Sequence, residues 1–139
     1  MQIRPFEDKD TDIVVDLWGL CELIVPWNDP RKDIERKRQV GPDLFLVGTV
    51  DDVVLASVMG GYEGHRGWMN YLAVHPAHRR KGYGQQLAQA LETKLLAQGC
   101  PKINLQIRQG NTAVQAFYES MGFSDDKALS MGKRIIPDN

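Results

Sequence analysis

Apolar residues recur along this chain with two different periods, and the changes between them divide it into elements. Gln2 to Phe6 predicts a short strand that Pro5 blunts, as at a sheet edge. Ile13, Val14, Leu17, Leu20 and Cys21 then fall on one helical face, with Asp8 or Asp10 positioned as the N-cap. Trp27-Asn28-Asp29-Pro30 restarts a helix, Asp29 as N-cap and Pro30 in the first turn. Ile34 is the one strong apolar residue of that helix, which therefore lies on the surface or lines something polar. Leu44–Val50, Val53–Tyr62 and Trp68–Val74 read as three strands, with turns at Asp51-Asp52 and at Glu63 to Gly67. A basic, glycine-bearing loop runs from Arg79 to Gly84. Leu87, Leu91 and Leu95 stripe the next helix, which runs to about Gln98 and stops at Gly99. Ile103, Leu105 and Ile107 alternate with Asn104, Gln106 and Arg108, predicting a half-buried strand. Asn111 caps a last helix with Val114, Phe117 and Met121 inward and Gly122 at its close, and Ser130–Ile136 predicts a final strand. The order β-α-α-β-β-β-α-β-α-β describes an α+β domain, a mixed sheet of about six to seven strands flanked by about four helices. No repeat or linker divides it, so residues 1–139 read as a single domain.

Composition changes this picture little. A chain of 139 residues, 42% hydrophobic, buries roughly 68–70% of its unfolded surface without help from metals or disulfides. A net charge of -1 argues against a protein that coats nucleic acid or an anionic membrane. The longest uncharged run, Val53 to Tyr62, falls well short of the ~20 apolar residues of a membrane span. No apolar leader follows Met1, and two cysteines make no disulfide framework, so a cytoplasmic location is expected. Cys21 and Cys100 both read as small buried hydrophobes. His75 and His78 lack further ligands at a suitable spacing, and no metal site is expected.

The chemistry concentrates after the third strand of the central run. Leu72-Ala73-Val74-His75-Pro76 leads into Arg79-Arg80-Lys81-Gly82-Tyr83-Gly84, then a helix. A helix N-terminus offers unpaired N–H groups and partial positive charge, and two glycines let the backbone approach a ligand. Three consecutive cations add attraction, so the expected ligand is a phosphate or pyrophosphate. Gly132-Lys133 has neither the earlier glycine nor the hydroxyl residue of a P-loop. The third glycine of a dinucleotide fingerprint is absent, Leu87 standing there.

This block, followed in order by Asn111 … Phe117-Tyr118 … Gly122-Phe123, resembles the GNAT superfamily of acetyl-CoA-dependent N-acetyltransferases over nearly the whole chain. Trp27-Asn28-Asp29-Pro30 and Met59-Gly60-Gly61-Tyr62 … Gly64-His65-Arg66-Gly67 resemble its small bacterial YpeA-type branch. The resemblance implies a GNAT-like sheet and acetyl-CoA as co-substrate. Its pyrophosphate would rest on backbone from Arg79, Arg80, Lys81, Gly82, Tyr83 and Gly84 to Gln85. The pantetheine arm would pair like an added strand with Leu72, Ala73 and Val74, where the Ile103–Arg108 strand splays away. Leu72 N–H would stabilise the oxyanion, a device worth ~2.7–4 kcal/mol. Asn111 would bond the pantetheine arm, besides capping its helix, and Tyr118 would protonate the departing thiolate.

The resemblance implies an amine acceptor without naming it. The strand position where some members carry a basic Glu is Gln106 here, and Asn70 is equally unable to take a proton. Glu63 and His65 at the hairpin tip remain as candidates for a general base at the substrate, acting directly or through water, or as ordinary turn residues. Trp27 is placed to stack on an acceptor; Asp29 is placed to attract an amine or simply to cap its helix. The net positive second helix hints at an acceptor that also bears an acid. The rival reading is an acyl-CoA-binding sensor with little transferase activity. An exposed C-terminal strand would permit a homodimer.

Overall fold

The computed structural model describes all residues, Met1–Asn139. Five strands form one sheet in the order β1-β2-β3-β4-β5: β1 Gln2–Pro5, β2 Phe45–Val50, β3 Val53–Tyr62, β4 Gly67–Val74 and β5 Ile103–Asn104. The first four are antiparallel neighbours and β5 runs parallel to β4, so the sheet is mixed. The helices are α1 Thr11–Leu20, α2 Pro30–Val40, α3 Tyr83–Ala97 and α4 Thr112–Glu119. Asp51 and Asp52 both take positive φ, as a two-residue hairpin requires.

Two apolar clusters lie on opposite faces of the sheet. One packs Leu87, Leu91 and Leu95 of α3, all fully buried as their spacing predicts, against Leu46, Val58 and Met69. The other packs Val14, Leu17 and Trp18 of α1 with Ile34 of α2 against Phe45, Val47 and Met59. The inward stripe of α1 thus turns about Trp18; Ile13 and Leu20 are exposed. Asp10 does not cap α1 with its side chain. Its buried carboxylate instead accepts two bonds from Arg4, at 2.7 and 2.9 Å, and one from the Glu7 N–H.

The C-terminal third departs from the pattern. β5 is two residues long, and Leu105 to Arg108 leave the sheet although their alternation is that of a strand. Ser130–Ile136 forms no strand, so the sheet has five strands and no C-terminal strand edge is exposed for a dimer. Asp138 instead ties the tail to the start of α2, accepting from Arg36 at 2.6 Å and from the Asp29 N–H at 2.7 Å. Lys32 Nζ donates to the Asp138 carbonyl at 2.5 Å. Cys100 is buried, but Cys21 is only half-buried, its thiol 3.3 Å from the Val74 carbonyl oxygen.

Candidate active site

β4 organises the site because its ladder is interrupted. Ser57 pairs with Ala73 and Met59 with Asn70, so Tyr71 and Leu72 together face Val58 alone. Such a bulge leaves one backbone unit out of the ladder and re-aims its neighbours. Tyr71 carries the distortion with φ +53, unusual for a non-glycine residue. Three contacts hold it there. Its ring stacks on Trp18, centroids 3.7 Å apart; its carbonyl accepts from Ser57 Oγ at 3.1 Å; its hydroxyl donates to Asp33 at 2.7 Å. Trp18 Nε1 donates in turn to Ser57 Oγ at 2.9 Å, so the fully buried serine bridges helix and strand. Burial and then Asp33 push the Tyr71 phenol well above its ordinary pKa, so it remains the donor in that bond.

On its other edge β4 loses its neighbour before the bulge is reached. β5 pairs only at Gly67 and Trp68, leaving the edge of β4 from Met69 to Val74 without a partner strand on that side. The chain continues through a short 3-10 turn at Pro76–His78 into the glycine loop. The first α3-type bond runs from Gln86 N–H to Gly82 O at 3.0 Å, and no N–H from Arg80 to Gln85 has an acceptor within the protein. Gly82 has φ +78, the left-handed region, and this turns successive donors to one side. Gly84 is small for a different reason: a Cβ there would lie 3.3 Å from the Phe117 ring and 3.5 Å from Val74. Arg79 folds back towards β4, its Nε donating to the Val74 carbonyl at 3.4 Å, and Lys81 Nζ lies 3.4 Å from His78 Nδ1. A string of free donors with cations beside it suits a pyrophosphate.

Tyr118 on α4 packs edge-on against Phe117 and Phe123, at 5.2 and 5.6 Å between centroids. Burial pushes its pKa up to about 12, and no protein group hydrogen-bonds its hydroxyl. Asn111 caps α4, its Oδ1 accepting from Val114 N–H at 3.3 Å, which leaves its amide donors free.

On the other side of the bulge a cleft of about 590 Å³ opens between α2 and β4. The link from α1 supplies Leu23, Val25, Trp27 and Asn28; α2 supplies Asp33, Arg36, Lys37 and Val40. Met59, Asn70 and Tyr71 form the sheet side, and Arg108 comes from the segment leaving β5. Trp27 stands 60% exposed there, free to cover a ligand. Asp29 does not reach the cleft; its carboxylate accepts from Arg31 N–H at 2.9 Å and Lys32 N–H at 3.4 Å, as the cap of α2. Glu63 and His65 stay at the hairpin tip outside the cleft. Glu63 accepts from the N–H groups of Arg66 and His65, which hold its carboxyl below the ordinary range. Gln106 bonds Ser130. Sequence reasoning passed over Ser57, Tyr71 and Arg108, and took Asp33 and Lys37 only as part of the charged face of the second helix. A serine within the apolar run of β3 is the one local signal, since a buried hydroxyl requires a partner.

Within one mixed sheet, a bulged strand thus runs from a cleft into a loop of free N–H donors. The chain belongs to the acetyltransferase (GNAT) family, whose family model matches residues 12–123. It is 47% identical over 138 residues to an acetyltransferase of Yersinia pestis (strain Pestoides F), covering 99% of this chain and 98% of that protein. It is 50% identical over 139 residues to an acetyltransferase of Sodalis glossinidius (strain morsitans), covering the same shares. The fold is shared with yncA, a putative acetyltransferase of Salmonella typhimurium solved with its cofactor acetyl-CoA. That likeness has a TM-score of 0.72 at 24% identity, over 89% of this chain and 79% of that one. The protein is an acetyl-CoA-dependent N-acetyltransferase.

Proposed function

We propose that this protein moves the acetyl group to a primary amine by direct attack, with no acetyl-enzyme intermediate. One observation carries the reading: β4 passes from the cleft at Asn70, through the bulge at Leu72, to the free donors beyond Arg79. A thioester lying along that strand would meet an amine in the cleft at the bulge. No Cys, Ser or Thr lines the cleft, which favours attack by the amine itself. The segments Trp27–Pro30 and Met59–Gly67 support membership of the YpeA-type branch.

Acetyl-CoA, when bound, supplies the activated acyl carbon. The N–H groups from Arg79 to Gln85 receive the pyrophosphate, with Arg80 and Lys81 adding charge. The backbone of Leu72, Ala73 and Val74 pairs with the pantetheine arm along the edge that β5 leaves free, and Asn111 bonds that arm. Leu72 N–H faces the oxygen on which charge develops. Tyr118 donates a hydrogen bond to the departing sulfur. A phenol near 12 is a weaker acid than a thiol near ~8.5, so it stabilises the thiolate without surrendering its proton. As the C–N bond forms and the C–S bond breaks, the amine proton leaves through water, because no carboxylate free of other bonds lines the cleft. A lysine-like amine of pKa ~10.4 is only ~0.1% neutral at pH 7.5. For such an acceptor log(kcat/KM) rises with pH at unit slope.

The test is amine-dependent release of CoA thiol across amino acids, polyamines, aminoglycosides and peptides with free or blocked N-termini. Release with one class supports the reading. Tight acetyl-CoA binding without release from any amine overturns it.

A further inference from the structure

Two positive charges in the cleft have nothing to answer them. Lys37 is half-buried on α2, and its ammonium lies over β3: a Cβ on Gly61 would be 3.5 Å from Nζ. It has neither an ion pair nor a hydrogen bond. Burial lowers its pKa, and the field of Asp43 only partly offsets that. Arg108 lines the same cleft and is likewise unpaired. The remaining charges are satisfied. Arg36 sits 3.2 Å from Asp33 and 2.6 Å from Asp138. Asp33, the one carboxylate of the lining, accepts from Tyr71, Asn28 and Arg36. A partly desolvated cation without a partner is costly, and an anion delivered to it forms a charge-assisted bond.

We propose that the acceptor is a primary amine that also carries an acid, a carboxylate or phosphate several bonds from the amine, and that Lys37 and Arg108 receive the acid. The proposal rests on the amine-transfer reading above. Strand geometry sets the spacing. Gly61 pairs with Trp68, and Leu72 lies further along the same strand. At no more than ~3.3 Å per residue, and less where the bulge at Tyr71 shortens the strand, the separation is at most about 13 Å, and a contact of about 3 Å at each end leaves up to about 7 Å between amine and acid. An α-amino acid carries both groups on one carbon and does not span that gap. An ω-amino acid of 6-aminohexanoate length does, its methylenes lying on Leu23, Val25, Val40 and Met59. Polyamines and aminoglycosides bring more positive charge against Lys37 and are disfavoured.

The experiment measures binding by calorimetry, with CoA present, for 6-aminohexanoate, its neutral analogue 6-aminohexanamide, 5-aminopentyl phosphate and alanine. The wild type is expected to prefer 6-aminohexanoate or the phosphate to the amide by about tenfold or more. Which acid is preferred identifies its chemistry. Lys37→Met, which keeps the aliphatic stem, and Arg108→Gln each reduce that preference several-fold. Should Lys37→Met not fold, the exposed Arg108→Gln reads the same quantity. Equal affinity for acid and amide, alanine binding as well as 6-aminohexanoate, or a preference undiminished in both variants overturns the proposal. Thiol release on the same ligands separates the two readings. Equal transfer to amide and acid keeps the transferase reading and removes this inference; preferential binding with no transfer to any amine does the reverse.

Discussion

Tyr118→Phe deletes a hydroxyl that has no protein partner but still reaches solvent, so turnover should fall while stability stays nearly unchanged. Its removal should therefore change stability by less than about 1 kcal/mol. The Phe ring keeps both edge contacts with Phe117 and Phe123. A hydrogen bond to a developing thiolate is charge-assisted, worth about 1.5–3 kcal/mol, so kcat should fall roughly 10- to 100-fold. Acetyl-CoA affinity should change little. The assay pairs thermal unfolding with thiol release at saturating acetyl-CoA. High pH adds a check. Burial raises this phenol, so its neutral form contributes stability that is complete below the free tyrosine value of ~10 and is lost as pH rises towards about 12. The Phe variant should lack that loss. Unchanged turnover would remove Tyr118 from the chemistry; a fall in Tm matching the fall in rate would make it a packing residue only.

Three further changes test other parts of the structure. Gly82→Val forces a β-branched residue to φ +78, costing at least ~1–2 kcal/mol. Acetyl-CoA should bind tenfold or more weakly by calorimetry, and unchanged affinity would mean the ligand does not use this turn. Gly60→Ala places a methyl within the Leu91 side chain, and overpacking of this kind costs about 1–3 kcal/mol. Urea unfolding should show that cost, with Leu91→Val relieving part of it in the double variant; additive effects would refute the contact. Asp138 is held at about 2 by Arg36 and the Asp29 N–H, so the tail contact is complete above the free carboxylate value of ~3.9 and is lost as pH falls towards about 2. Asp138→Asn should speed hydrogen exchange and proteolysis of residues 124–139 at neutral pH, and identical protection would show that the tail is held by other means.

Elements with their own strong local signal were legible. The Leu87, Leu91, Leu95 stripe, the Asp29-Pro30 start and the Gly99 and Gly122 stops each depend on residues within a few positions, and α2, α3 and α4 form about them. The glycine loop was legible for the same reason, since its donors belong to one continuous stretch. Elsewhere tertiary demands overrode local pattern. The alternation from Ile103 to Arg108 has strand period, yet β4 accepts it for two residues only. Ile13 and Leu20 share a helical face with Leu17, yet burial follows Trp18, which must reach Ser57.

The sequence by itself determined the class of protein, because local periodicity, caps and glycines fix element order, and a helix N-terminus behind a glycine turn presents free N–H donors wherever it lies. Tertiary structure decided what surrounds the reaction. Tyr71 leaves the ladder because Trp18, Ser57 and Asp33, from three other elements, hold it out. Lys37 and Arg108 share one cleft although a helix and four strands of chain separate them. Charges become a recognition site only when packing denies them partners, and pairing across such distances is a property of the folded chain.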